Sequence, residues 1–148
     1  MANTRVNNWI LVAMFWTGLI FFSSSSFAGV WCEHAFNSAC AFIFGDLNFY
    51  RPPYQLIHFL AHKVVHVALF FIFALLLWKA LPTVRGKMAS ILSIGSLVGS
   101  CSEILQMFFP GRDPAIRDVL INFGATAAGV GFNVVLLRLQ RESLFSLI

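Results

Sequence analysis

The chain has 148 residues, of which 59% are hydrophobic and only 11% are charged. A soluble domain usually has about 25% charged residues, so this composition excludes a water-soluble globular protein and indicates a membrane protein. The net charge of +4 does not indicate nucleic-acid binding, because the basic residues are scattered along the chain and form no basic stripe.

Four segments are long and apolar enough to be transmembrane helices, since a bilayer core of about 30 Å requires about 20 mostly apolar residues. They are residues 8–27, 58–80, 89–109 and 118–137. Prolines mark the helix boundaries, at Pro52 before the second segment and at Pro82 and Pro110 after the second and third. We therefore predict an all-α fold, a bundle of four transmembrane helices that forms one domain over residues 1–148.

The first segment also fits a different interpretation, a cleaved secretory signal peptide. Arg5 precedes an apolar run over residues 9–22, and serines with a small residue at Ala28 follow it. Cleavage there would leave three transmembrane helices. The tryptophan and phenylalanine residues of the run are bulky and favour a helix that is retained, so we predict four.

Residues 28–57 are predicted to form a loop on the outer side of the membrane. Cys32 and Cys40 lie within it at a spacing that is compatible with a disulfide in an oxidising exterior, and two free thiols fit the sequence equally well. The aromatic stretch over residues 42–54 is typical of a segment that rests on the membrane interface.

Three histidines near the start of the second predicted helix, His58, His62 and His66, repeat on one helical face. With Glu103 they form a candidate set of zinc ligands. The outer two histidines lie about 12 Å apart along the helix axis, however, and such a line of side chains rarely converges on one ion. We predict neither a metal site nor any other cofactor.

Small residues in the third and fourth predicted helices indicate close helix packing. The third helix contains Gly95 and Gly99, and the fourth contains Gly124 and Gly129. We predict that these small faces bring the two helices of the hairpin together, in preference to forming a seam between two copies of the chain.

The distribution of basic residues predicts that both termini face the cytoplasm, because cytoplasmic loops carry an excess of Lys and Arg. In this orientation the inner side has six basic residues: Arg5, Lys79, Arg85, Lys87, Arg138 and Arg141. The outer side has four: Arg51, Lys63, Arg112 and Arg117.

The stretch FFPGRDPAIRDVLINF, residues 108–123, concentrates charge between two apolar segments. Glu103 lies about 10 Å below the outer end of the third predicted helix, and Asn122 lies one turn beyond Asp118. A carboxylate inside a membrane span costs about 2.5–3.5 kcal/mol, so it normally has a partner. The candidate partners of Glu103 share a positive charge and a similar depth: Lys63, Arg112 and Arg117.

These groups are predicted to converge in a polar pocket just below the outer membrane surface. The pocket residues share this depth: Lys63, His66, Glu103, Arg112, Arg117, Asp118 and Asn122. The simpler alternative is a solvated turn with charges at the helix ends, which is the explanation we prefer for Asp113 alone.

The segment SEILQMFFPGRDPAIRDVLINFGATAAG resembles the signature of the VanZ-like family of small bacterial membrane proteins. That signature consists of an acidic-x-x-Gln pair, then Pro-Gly-Arg, then Asp-x-x-x-Asn with a Gly-rich continuation. HKVVHVALFFIFALLL resembles the family's entry into its second helix, and LIFFSSSS resembles its serine-ended first helix. The positions that match the family pattern are Lys63, His66, Glu103, Gln106, Arg112, Asp118 and Asn122.

The resemblance implies a multi-pass protein of the bacterial inner (cytoplasmic) membrane with a retained first helix. It also implies an association with lowered sensitivity to teicoplanin, an antibiotic that acts on the outer membrane face, but it implies no particular reaction. His58, His62 and the cysteine- and aromatic-rich segment 29–54 depart from the family pattern.

We predict a protein that binds or shields an anionic lipid or a lipid-linked envelope precursor at the outer leaflet. Arg112 and Arg117 would hold phosphate, while Asp118 and Asn122 would orient the rest of the polar head group. No nucleic-acid partner is predicted.

Two alternatives belong to other classes of protein. A membrane enzyme acting on a lipid phosphoester or acyl group would use Glu103 or His66 as a general base and Arg112 as an electrostatic stabiliser. The sequence has no nucleophile in a recognisable triad spacing, so we favour a binding protein. A transport subunit would require an oligomer, because four helices are few for a pore.

Overall fold

A computed structural model of the chain describes residues 3–44, 52–83, 85–110 and 114–145. These residues form five α-helices and contain no strand, which confirms the all-α prediction. The helices are α1 (Asn3–Ser23), α2 (Ser26–Phe44), α3 (Pro52–Ala80), α4 (Lys87–Gln106) and α5 (Ile116–Phe145).

Three helices contain segments that are long and apolar enough to cross a bilayer. These segments are Lys63–Ala80 in α3, Lys87–Gln106 in α4 and Ile116–Ser143 in α5. A fourth span exists if α1 and α2, which meet at an angle of 73°, are counted together as one bent pair. By length and apolar composition, the described helices therefore supply three or four candidate spans, and the direction in which they would cross stays a prediction.

The loop predicted over residues 28–57 was wrong over most of its length, because residues 26–44 and 52–57 are helical. The segment SFAGVWCEHAFNSACAFIF contains no proline and a single glycine, so nothing in it interrupts a helix. Residues 45–51, which include most of the predicted aromatic interface segment, lie outside the described residues.

Serine side chains explain why the first helix ends at Ser23 rather than at the predicted residue 27. The hydroxyls of Ser23 and Ser24 both donate to the carbonyl oxygen of Ile20, at 2.7 and 3.1 Å. The hydroxyl of Ser25 accepts a hydrogen bond from the backbone N–H of Ala28 at 3.3 Å, which makes Ser25 the N-cap of α2. The serine run thus ends one helix and begins the next.

The apolar core is built around α3, which packs against α1, α4 and α5. Phe70 and Phe73 of α3 are fully buried and meet edge to face, with ring centroids 6.5 Å apart. Ile20 of α1 and Ile91 of α4 complete the same cluster. The indole N–H of Trp16 donates to the carbonyl of Leu69 at 2.9 Å and joins α1 to α3.

Three of the four predicted packing glycines lie at close helix contacts. A Cβ added to Gly95 would lie 2.6 Å from Thr126 Cγ2, and one added to Gly99 would lie 3.3 Å from Asn122 Cβ. Both glycines therefore face α5. Gly129 faces α3 instead, because a Cβ there would lie 2.7 Å from the Cβ of Ala74.

The prediction for the fourth glycine was wrong. Gly124 is exposed, and none of the described heavy atoms lies within 4 Å of the position that its Cβ would occupy. It follows Asn122 by two positions, which corresponds to about 200° of rotation on a helix with 3.6 residues per turn. Gly124 therefore lies on the opposite face of α5 from the contact with α4.

Gly129→Ala is expected to lower the free energy of unfolding by about 1–3 kcal/mol, as overpacking usually does. The added methyl would lie 2.8 Å from the backbone carbonyl oxygen of Phe71, which cannot move without shifting α3. Thermal unfolding in detergent measures the effect.

Gly131→Ala is the matched control for this substitution. Gly131 is exposed in the same helix, and the described residues place no heavy atom within 4 Å of its Cβ position. Alanine is about 1 kcal/mol more favourable than glycine in a helix interior, so this variant should be neutral or stabilised. Equal destabilisation of both variants would contradict the close contact between α5 and α3.

Candidate functional site

Buried polar residues cluster at one end of the bundle, where the end of α4 meets the start of α5 and the bend between α1 and α2. Membrane-facing helices seldom bury polar groups without a structural or functional role. The buried polar residues of this end are Ser24, Ser25, Ser102, Glu103, Gln106, Asp118, Asn122 and Thr126.

An ion pair joins α3 to the first turn of α5. The ammonium of Lys63 donates to Asp118 Oδ1 at 2.5 Å, and the two side chains are 20% and 12% exposed. The Nε atom of Arg117 lies 3.8 Å from the same oxygen, but the Arg117 side chain is 65% exposed. Asp118 therefore combines a favourable position at a helix N-terminus with a lysine partner from another helix.

Glu103 connects the end of α4 to the segment before α5. Its side chain is buried, and its Oε2 atom accepts a hydrogen bond from the backbone N–H of Ala115 at 3.4 Å. A groove of about 270 Å³ opens beside it between the two helices. Apart from Glu103 and Ser100, the groove is lined by apolar residues: Ile104, Met107, Pro114, Ala115, Ile116 and Val119.

Asn122 is completely buried one turn further along α5. It packs against Gly99, whose added Cβ would lie 3.3 Å from Asn122 Cβ and 3.5 Å from a ring carbon of Phe70. Neither the amide nitrogen nor the amide oxygen of Asn122 forms a hydrogen bond with any residue that the structure describes. Burying an amide without hydrogen bonds costs about 1–3 kcal/mol, a cost that a bound polar ligand would offset.

Serines from the α1–α2 bend close the site on its other side. The hydroxyls of Ser24 and Ser102 lie 2.9 Å apart and are buried, and Ser26 donates to the carbonyl of Pro110 at 3.0 Å. These contacts hold the bend against the end of α4. The sequence predicted the serine run only as the end of the first helix and did not assign Ser24, Ser26 or Ser102 to the site.

The VanZ/LLP1 family matches residues 9–138 of the chain, which include every residue of this site. The chain belongs to the VanZ/LLP1 family. This confirms the resemblance seen in the sequence, while no curated protein and no solved structure matches the chain. Family membership and the apolar helices together identify a VanZ-like membrane protein.

In this VanZ/LLP1 chain, the described pocket residues of the prediction lie at the same end of the bundle. Glu103, Asp118 and Asn122 are buried there, and Lys63 and Arg117 contact Asp118. Gln106, which follows Ser102 by one turn on α4, is also buried. His66, half-buried, follows Lys63 by three residues on α3 and so lies on a neighbouring part of its face.

Several predicted residues of the VanZ/LLP1 chain lie outside the described part. They are Arg112 and Asp113 in the α4–α5 connection, Arg51, and the side chains of Cys32, Cys40, His58 and His62. The disulfide, and the clamp formed by Arg112, therefore stay predictions. Among the residues that the structure describes, no three His, Cys, Asp or Glu side chains are grouped so that they could hold a metal ion.

Charge in the VanZ/LLP1 site is arranged by depth. Arg117 is the most exposed of the charged groups, Lys63 and Asp118 are mostly buried, and Glu103 is the least exposed. The formal charges of these four residues sum to zero, with the guanidinium exposed and both carboxylates buried.

Proposed function

We propose that this VanZ/LLP1 protein binds the head group of a membrane lipid or a lipid-linked envelope precursor between the ends of α4 and α5. The observation that carries this proposal is the groove beside Glu103. It places a buried carboxylate against walls formed by Ile104, Met107 and Val119, in a segment that is apolar enough to lie in the membrane. A ligand that fits must be both polar and apolar, which is the character of a lipid.

The balance of charge narrows the class of lipid. A simple anion gains little from the site, because Glu103 and Asp118 offset the positive charges of Lys63 and Arg117. A head group that joins a phosphate to hydroxyl or ammonium donors fits better. Its phosphate would meet Arg117 at the rim, with Arg112 as the predicted second arginine, and its donors would reach the Glu103 carboxylate.

The proposed orientation, with both termini in the cytoplasm, puts this site at the outer leaflet of the bacterial inner membrane. A lipid-linked precursor held there would be shielded from molecules that act on the outer membrane face. We propose that such shielding is the route by which the protein would lower sensitivity to teicoplanin. Shielding requires that the protein binds the lipid, so lipid binding is the step to test first.

Native mass spectrometry of the protein in mild detergent tests the proposal through the lipids that co-purify. We expect the wild type to retain a phosphate-containing lipid, and Glu103→Ala to lose it because the acceptor for the head-group donors is removed. Glu103→Gln keeps an acceptor oxygen and should retain part of the lipid. If Glu103→Ala keeps the full wild-type lipid signal, the groove is not the binding site.

Arg117→Gln separates head-group binding from a general effect of positive charge. Its matched control is Arg85→Gln, because both arginines are exposed and the second lies at the other end of the bundle. Loss of the lipid in Arg117→Gln alone is the expected result. Conversion of the retained lipid into a product in the same experiment would instead favour the membrane enzyme with Glu103 or His66 as its base.

A further inference from the structure

A second groove, of about 600 Å³, lies at the opposite end of the bundle. It is bounded by the end of α3, by the first turn of α4 together with the connection that precedes it, and by the C-terminal part of α5. Its lining differs from that of the Glu103 groove, because it contains three cations and no acidic residue: Lys87, Arg138 and Arg141.

The three cations of this groove are not neutralised by the described part of the chain. Lys87, Arg138 and Arg141 form no ion pair with a residue that the structure describes. Arg138 and Arg141 are three positions apart on α5 and therefore lie on one face of the helix. Three positive charges around one groove attract an anion, and Glu142, the next residue on α5, is exposed and does not line the groove.

The floor of the groove is apolar. Trp78 of α3, Met88 of α4, and Val134 and Leu137 of α5 line it. The ammonium of Lys87 lies 4.9 Å from the centroid of the Trp78 ring, so the lysine stays at the rim with its charge close to the groove. The groove thus combines positive charge with a surface that suits an acyl chain.

The position along α5 places the groove at a membrane interface. Arg138 follows Asp118 by about 20 residues on the same helix, which corresponds to about 30 Å at 1.5 Å per residue. The hydrocarbon core of a bilayer is also about 30 Å thick. When the Glu103 site lies at one interface, the three cations therefore lie at the other, level with the lipid head groups of the opposite leaflet.

We propose that this groove binds an acidic phospholipid of that leaflet, which the orientation by basic residues predicts to be the cytoplasmic one. The lipid phosphate would meet Arg138 and Arg141, and an acyl chain would lie along Met88 and Leu137. Basic pockets between transmembrane helices on the cytoplasmic side are sites for acidic head groups. The site is distinct from the one in the proposed function and does not depend on it.

Basic residues on one side of the membrane also set the topology of a membrane protein. The experiment must therefore separate lipid binding by the groove from this effect on topology. The protein is reconstituted in bilayers of phosphatidylcholine and phosphatidylglycerol, released into the mass spectrometer, and scored for the ratio of the two retained lipids. Arg138→Gln should lower the preference for phosphatidylglycerol about fivefold, which corresponds to about 1 kcal/mol per basic residue near the membrane. Arg85→Gln, an exposed charge at the same end but outside the groove, should leave it unchanged.

Val134→Trp tests the groove with every charge in place. The indole would fill the space above the apolar floor, so the preference for phosphatidylglycerol should fall as it does in Arg138→Gln. Equal preferences in Arg138→Gln and Arg85→Gln would overturn the proposal, as would full retention in a folded Val134→Trp protein. Arg138 and Arg85 are exposed and do not contribute to the core. The comparison of Arg138→Gln with Arg85→Gln therefore tests lipid binding by the groove even where Val134→Trp does not fold.

Arg117→Gln distinguishes a failure of this proposal from a failure of the proposed function. It removes a charge at the Glu103 end only, so it should leave the preference for phosphatidylglycerol intact. Arg138→Gln should in turn leave the lipid at the Glu103 groove in place. Each variant is then the control for the other site.

Discussion

Asp118→Ala is expected to unfold the protein at a much lower temperature than the wild type, with a loss of about 3 kcal/mol in the free energy of unfolding. The Lys63 ammonium lies 2.5 Å from the Asp118 carboxylate, and the lysine side chain is only 20% exposed. Removing the carboxylate leaves that ammonium without its closest negative charge, in a segment apolar enough to lie in the membrane. The partial exposure of both side chains puts the expected loss at the lower end of values for buried pairs.

A double-mutant cycle with Lys63→Met measures the pair itself. The double variant Lys63→Met/Asp118→Ala should be more stable than Asp118→Ala alone, because the ammonium that lost its partner is also removed. Arg117→Ala is the control: its guanidinium is close to the same carboxylate but mostly exposed, and an exposed pair contributes about 0–1 kcal/mol. Strictly additive losses in the cycle would contradict a direct interaction between Lys63 and Asp118.

The sequence predicts the existence of α3, α4 and α5 from their apolar length and the flanking prolines, but α3 begins six residues earlier and α5 ends eight residues later than predicted. It also predicts that Glu103 lies at the same end of the α4–α5 hairpin as Asp118 and Asn122. A short connection between two antiparallel helices places the end of one, with Glu103, beside the start of the next, with Asp118 and Asn122. Helical periodicity then puts Asp118 and Asn122 on one face, where the structure buries both.

The bend between α1 and α2 could not be predicted in the same way. Serine can continue a helix, end it by bonding to a carbonyl, or cap the next one. At Ser23–Ser25 the serines end α1 and cap α2, and this bend includes a contact that is distant in sequence, between the hydroxyls of Ser24 and Ser102. A local pattern contains no information about that partner.

The sequence could not identify the carboxylate partner of Lys63 for a related reason. Glu103 and Asp118 were predicted at similar depths, and spacing alone does not tell which carboxylate a long lysine side chain reaches. The structure gives Lys63 a hydrogen bond with Asp118, while Glu103 accepts one from the backbone of Ala115. Gly129 is a parallel case, since helical periodicity identifies a contact face but not whether α3 or α4 covers it.

Asn122→Leu is expected to change stability and binding in opposite directions. Leucine has nearly the shape of asparagine and is apolar, so the substitution removes two buried polar atoms that form no hydrogen bond with the described residues. Stability should rise by about 1–3 kcal/mol, the cost of an unsatisfied buried group. We propose that the Asn122 amide binds the lipid head group, so the lipid that co-purifies with the protein should be lost.

Thr126→Val is the matched control, one turn further along the same helix. Thr126 is also completely buried, but its hydroxyl donates to the carbonyl of Asn122 at 2.8 Å. Valine keeps the shape and removes that hydrogen bond, so this variant should lose about 0.5–1.5 kcal/mol and retain the lipid. Thermal unfolding and native mass spectrometry on the same preparations give both readouts. A destabilised Asn122→Leu protein that still retains the lipid would contradict both expectations. It would mean that the amide stabilises the fold and does not bind the head group.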